Sequence, residues 1–133
     1  MNIFYLHSNP FKAAEYQYGK HVVKMVLESA QMLCTAHHHY GNGDNVPYKK
    51  AHYNHPSTVW VRQSTQHYDW LRDHFIALAD EYNDRYFKRH LAFEKCIDSL
   101  LNPPPGMPDN GFVEPPQCMP DEFKSDSAIH AYW

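Results

Sequence analysis

Apolar positions are densest between Lys20 and His39, in KHVVKMVLESAQMLCTAHHH. At about 100° per residue, Val22, Val23, Met25, Val26, Leu27, Ala30, Met32, Leu33, Cys34 and Ala36 spread nearly all the way round, which predicts a long helix buried on most sides. The polar residues do not scatter: His21, Lys24, Glu28, Gln31 and Thr35 recur at steps of three and four and share one stripe. A buried helix must supply partners for such a stripe, because an unpaired buried charge is very costly. The stripe is either a structural ion-pair ladder, for which the i, i+4 pair Lys24 and Glu28 suffices, or one wall of a site.

A second periodic stretch carries Trp60, Ser64, Tyr68, Leu71, Phe75, Leu78, Tyr82 and Tyr86 on one face and charged residues on the other, which predicts one long helix from Pro56 to about His90. Asn54 or His55 before Pro56 marks its start. A further helix follows, or continues, through Leu91, Ile97, Leu100 and Leu101 until Asn102 and Pro103–Pro105 stop it. Ahead of the central helix, Met1–Leu6 reads as a strand or an extended segment tucked into the core. Ser8 or Asn9 can cap a short helix from Pro10 to about Tyr18, and Gly19 breaks or kinks the chain. After His39, YGNGDNVPY is loop chemistry.

Seven of the ten prolines lie between Pro103 and Pro120, so residues 103–123 are either a linker or a strap laid in extended form on the surface, and the apolar anchors Phe112, Val113, Met119 and Phe123 favour the strap. Ser125–Trp133 can begin a last short helix. The expected fold is all-α: one domain over residues 1–133, a bundle around two long helices near 20–39 and 56–90, with a short N-terminal extended segment and the Pro-rich strap.

Composition narrows the function. A net charge of −3 provides no overall basic field for nucleic acid and leaves room only for a local patch. Ten Tyr and three Trp suit contact surfaces and base stacking, though most serve the core. Cys34, Cys96 and Cys118 form no C-x-x-C pair and read as small apolar fillers in a reducing cytoplasm. No run reaches membrane-span length, and MNIFYLHSNP is no signal peptide.

His37, His38, His39, His52 and His55 invite a metal reading, but three successive histidines point in different directions on a helix and no acidic ligand motif accompanies them. Neither a metal nor a cofactor is expected, and no glycine-rich phosphate loop or nucleophile elbow is present. The basic residues that can meet phosphates are Lys20, Lys24, Lys49, Lys50 and Arg62, with His55 beside them. Lys24, placed in an apolar setting, can lose its charge and act as a nucleophile, with His21 shuttling protons.

The opening MNIFYLHSNPFKAAEYQYGKHVVKMVLESAQML, then HYNHPSTVWVRQS and PPQCMPDEFK, together resemble a group of small proteins of tailed phages, some of them labelled pyrimidine-dimer DNA glycosylase. The resemblance covers nearly the whole chain, and HPSTVWVR and MPDE are its most distinctive parts. It implies the cytoplasm of an infected bacterial host and a tail beyond Ala131–Trp133.

A weaker likeness to endonuclease V-type glycosylases implies a compact all-α protein whose N-terminal segment passes between helices. In that family the N-terminal amine attacks the sugar to form a Schiff base, a glutamate on the first long helix assists, and arginines hold DNA. Here Asn2 follows Met1, so the amine would belong to Met1. The match puts Val23 or Lys24 at the family's glutamate, and Glu28 stands one turn later on the stripe.

Two functions follow. One is a base-excision glycosylase and lyase with Met1 or Lys24 as nucleophile, Glu28 as acid/base and DNA as partner. The other is a non-enzymatic phage accessory protein that binds a host protein or a small nucleotide through the stripe or the strap.

Overall fold

A computed structural model describes residues 3–17 and 19–117. The first segment, from Ile3 to Leu6, is irregular and largely buried rather than a strand, with Leu6 N–H turning back to Phe4 O at 3.0 Å. Asn9 then caps α1 (Pro10–Glu15): its Oδ1 accepts the N–H groups of Phe11 at 2.9 Å and Lys12 at 3.2 Å. The central helix is α2 (Gly19–His39), 21 residues and about 30 Å long. Helices α3 (Pro56–Arg62), α4 (Thr65–Tyr86) and α5 (Leu91–Leu100) pack on α2, and α1 packs on α4. Val22, Met25, Val26, Ala30, Met32 and Leu33 of α2 are all buried at the centre of the core.

Two expectations about the long helices change. Helix α2 is not buried all round: Val23 and Leu27 are exposed along with Lys20 and Lys24. So small a chain has too few helices to surround its central one. The second helix is not continuous either.

Gln63 and Ser64 part α3 from α4, with Ser64 in extended backbone (φ −159°, ψ 145°) as the cap of α4. The strap takes up the polar groups released there. Thr65 N–H donates to Pro108 O at 2.9 Å, Asn110 Nδ2 to Gln63 O at 3.1 Å, and Asn110 N–H to Ser64 Oγ at 3.2 Å. Trp60 and Tyr68, on either side, are both buried, which is why apolar periodicity passed over the break. Helix α4 ends at Tyr86, because Phe87 adopts left-handed backbone (φ 57°) and His90 caps α5.

The strap opens with a turn, Met107 N–H donating to Pro104 O at 3.3 Å, and then lies over the α3–α4 junction. Trp60 Nε1 donates to Val113 O at 2.9 Å, and Val113 N–H donates to His67 Nε2 at 3.0 Å. Its grip is mainly by backbone. Val113 is itself exposed, Phe112 stands edge-on to Trp60, and the buried residues are Pro104, Met107 and Pro115. The expected anchors Met119 and Phe123, and the expected last helix, lie outside the described residues. No helix among the described residues is long and apolar enough to cross a membrane.

Candidate active site

The polar stripe of α2 runs from solvent into the core. At its outer end His21 lies flat against Phe4, ring centres 4.5 Å and planes 8° apart. This stack brings the N-terminal segment onto the stripe. Lys24 Nζ stands 3.8 Å from Glu28 Oε2, with the lysine side chain 69% exposed and the glutamate side chain 12%. Lys24 therefore stands in solvent, not in the apolar setting that the sequence suggested. Glu28 is the buried member of the pair. Two turns further, about 10 Å along the axis, Thr35 is fully buried. Its Oγ1 accepts Ala51 N–H at 3.1 Å and donates to Ala51 O at 3.2 Å, pinning the loop that leads to α3.

That loop delivers His55 and a cationic cluster. His55 caps α3, its Nδ1 accepting Ser57 N–H at 3.1 Å, so the neutral ring carries its proton on Nε2. Burial lowers the pKa of His55, and the Glu28 carboxylate, within electrostatic reach, acts in the opposite direction.

Tyr53 is the hub of the cluster. The Arg62 guanidinium lies over its ring at 3.9 Å, Lys50 Nζ at 4.9 Å, and its hydroxyl shares a hydrogen bond with His39 Nδ1. Arg62 is itself buried and donates from Nη1 to Tyr53 O at 2.6 Å, so it supports the loop from beneath. Lys49 and Lys50 are exposed above it.

The structure thus brings His21, Lys24, Glu28 and His55 to one side of α2, and Lys50 and Arg62 to one aromatic ring. It does not bring Lys20 to that ring. From Lys20 to Thr35 is about 22 Å of helix. Met1 lies outside the described residues. Sequence reasoning missed Tyr53 and His39 as members of the cluster. The signal was an aromatic residue set among cations in KKAHYNH.

The histidine run disperses. His37 bonds Tyr68 and Asn42, His38 Nε2 bonds Tyr48 O, and His39 bonds Tyr53. Among the described residues no three His, Cys, Asp or Glu side chains gather as a metal site would require.

A buried carboxylate between an N-terminal segment and a capping histidine can move protons in a site of low water content. Exposed cations around an aromatic ring can hold phosphates. The family model for pyrimidine dimer DNA glycosylase matches residues 1–95. No curated protein and no solved structure matches the chain.

Proposed function

The chain belongs to the pyrimidine dimer DNA glycosylase family, and from that premise we propose that it excises damaged or modified pyrimidines from DNA and then nicks the strand as a lyase. The observation that carries the reading is the Phe4–His21 stack, which lays the N-terminal segment along the α2 stripe that holds the buried carboxylate of Glu28.

The target nucleotide leaves the stack so that its sugar is reachable. An amine nitrogen bonds to C1′ as the bond from C1′ to the base breaks. The base departs with that electron pair and takes up a proton. The sugar ring opens with a proton delivered to its oxygen, leaving a Schiff base. Loss of a C2′ proton then expels the 3′ phosphate.

The amine is assigned to Met1, as the family resemblance implies, and the proton transfers to Glu28, with His21 as relay. Lys24, in solvent, holds Glu28 in place at 3.8 Å. Lys49, Lys50 and His55 meet the phosphates, with Tyr53 and Arg62 supporting them. The net charge of −3 does not oppose this, because Glu15, Asp80, Glu81 and Asp84 collect around one groove of α1 and α4 and the exposed strip of α2 carries lysines.

Borohydride trapping tests the reading. Duplex DNA with a pyrimidine dimer, or with an abasic site, should yield a covalent protein–DNA adduct. Lys24→Ala should retain the adduct, and acetylation of the N-terminus should abolish it. Absence of an adduct on both substrates would sink the proposal.

A further inference from the structure

The corner between α4 and α5 leaves a large aromatic ring in water at a strained position. Phe87 is 90% exposed. Its backbone is left-handed (φ 57°, ψ 34°), a conformation that bulky residues adopt only where the surroundings over-determine it. The ring gains no burial in return. Lys88 and Arg89 follow it, both exposed, with Arg89 3.7 Å from Glu94.

This corner is clamped to the first two turns of α2. The Tyr86 hydroxyl comes so close to Gly19 that a Cβ there would sit 2.9 Å from it. His90 accepts Ala92 N–H at Nδ1, so its Nε2 donates to Val23 O, at 3.2 Å. Lys20 and Lys24 emerge from α2 beside that contact.

The strip between the two clusters is open. On α2, Cys34 faces Cys96 of α5, and Thr35 faces Ala51. Lys20, Lys24, Leu27 and Gln31 fall between those two flanks at helical spacing, and none of them is fully buried. From Thr35 to Lys20 is about 22 Å, the length of roughly six nucleotide steps at about 3.4 Å each.

We propose that the corner is a second DNA contact, in which Phe87 stacks on an unpaired base while Lys88, Arg89 and the α2 lysines hold the flanking phosphates. The inference rests on the DNA reading above and extends it by a stacking platform toward the opposite end of α2 from the Tyr53 cluster, since Tyr86 meets Gly19 while Tyr53 meets His39. Charge selects this occupant over a second copy of the chain. A two-fold dimer through the corner would set Lys20 and Lys88, which among the described residues have no carboxylate beside them to match those of Lys24 and Arg89, against the same two cations.

The test is fluorescence anisotropy of the full chain with labelled duplex carrying an abasic site or a short single-stranded gap, over a range of salt. Phe87→Asn removes the ring and tolerates left-handed backbone, so the melting temperature should hold or rise. Its affinity should fall roughly ten-fold or more, with the slope of log K against log salt unchanged. Phe87→Trp should keep the parent affinity or exceed it. Lys88→Ala and Arg89→Ala should each reduce the slope by about one.

Parent protein that binds DNA alongside a Phe87→Asn variant within two-fold of it would overturn the stacking contact and leave the DNA reading standing. Parent protein that binds none of these DNAs would overturn both. A parent dimer that Phe87→Asn dissociates, with DNA affinity unchanged, would reassign the corner to self-association.

Discussion

His37 and Tyr68 share a hydrogen bond of 2.8 Å inside the core, and a third group sets its direction. Tyr68 gives its hydroxyl proton to Leu100 O at 2.9 Å, so His37 Nε2 must donate to Tyr68. The other ring nitrogen, Nδ1, then accepts from Asn42 Nδ2 at 2.7 Å. His74 is held in the same manner with its nitrogens reversed: Nδ1 donates to Pro10 O and Nε2 accepts from Gln17 Nε2, each at 2.9 Å. Both rings are fixed as neutral, and a second proton on either would meet an N–H.

Acid should therefore destabilise the fold in a defined window. Burial first, and the neighbouring His38 charge second, lower His37 to about 4, and burial lowers His74 to about 4 against the effect of its bond to Pro10. Both ordinarily titrate near 6.5, so the unfolded chain takes up protons first as pH falls. Their stabilisation is complete above about pH 6.5 and is lost as pH falls toward 4, at about 3 kcal/mol for each ring. Urea midpoints from neutral pH down to 4.5 should drop steeply, and His37→Gln should flatten the slope. A parent midpoint constant across that range would contradict the assignment.

Glu28→Gln separates catalysis from scaffolding on one molecule. The partner charge on Lys24 is 69% exposed, which discounts the pair to below about 1 kcal/mol. Gln keeps the shape but cannot carry a proton. Adduct formation and base release should fall by about 100-fold or more while the melting temperature shifts by a few degrees at most. A stable and fully active Glu28→Gln would reject the catalytic role, and a loss of about 3 kcal/mol would restore the ladder reading.

Much of this could be read from the chain itself, for reasons that differ by element. Helix α2 was legible because an apolar run of its own length ends in a loop of Gly, Asn and Pro. The two capped helix starts were legible to within a residue, Ser8 or Asn9 and Asn54 or His55, because a proline marks the first helical position of each. The break at Gln63–Ser64 was not, since the groups that satisfy it, Pro108 O and Asn110, lie more than forty residues away in sequence. The exposure of Lys24 and the burial of Glu28 were equally hidden, because one stripe of α2 crosses from solvent to core. Tyr53 gains its place only once Arg62 and Lys50 fold onto it.

The basic residues around Tyr53 should divide by burial. Arg62→Ala removes a buried guanidinium bonded to Tyr53 O, so it should cost about 1–3 kcal/mol in stability. Lys49→Ala and Lys50→Ala are surface changes and should stay within about 0.5 kcal/mol of the parent. Each lysine variant should nonetheless weaken DNA binding and reduce its salt slope by about one. Lysine variants that bind DNA with the parent slope would remove this loop from the phosphate contacts.

The strap should behave as part of the α3–α4 junction rather than as an appendage. Ser64 Oγ accepts the N–H groups of Gln66 at 3.3 Å and Asn110 at 3.2 Å, so Ser64→Ala removes the cap of α4 and one hold on the strap together. About 1–2 kcal/mol is expected for that loss. Asn110→Ala removes the bond from Nδ2 to Gln63 O at 3.1 Å and should cost about 1 kcal/mol. A strap already loosened at Ser64 has less to lose at Asn110. The double variant should therefore cost less than the sum of the singles, by about 0.5–1 kcal/mol in a denaturation cycle. Strict additivity would mean that the strap rests on the junction without holding it, and that the break at Gln63–Ser64 is maintained by α3 and α4 alone.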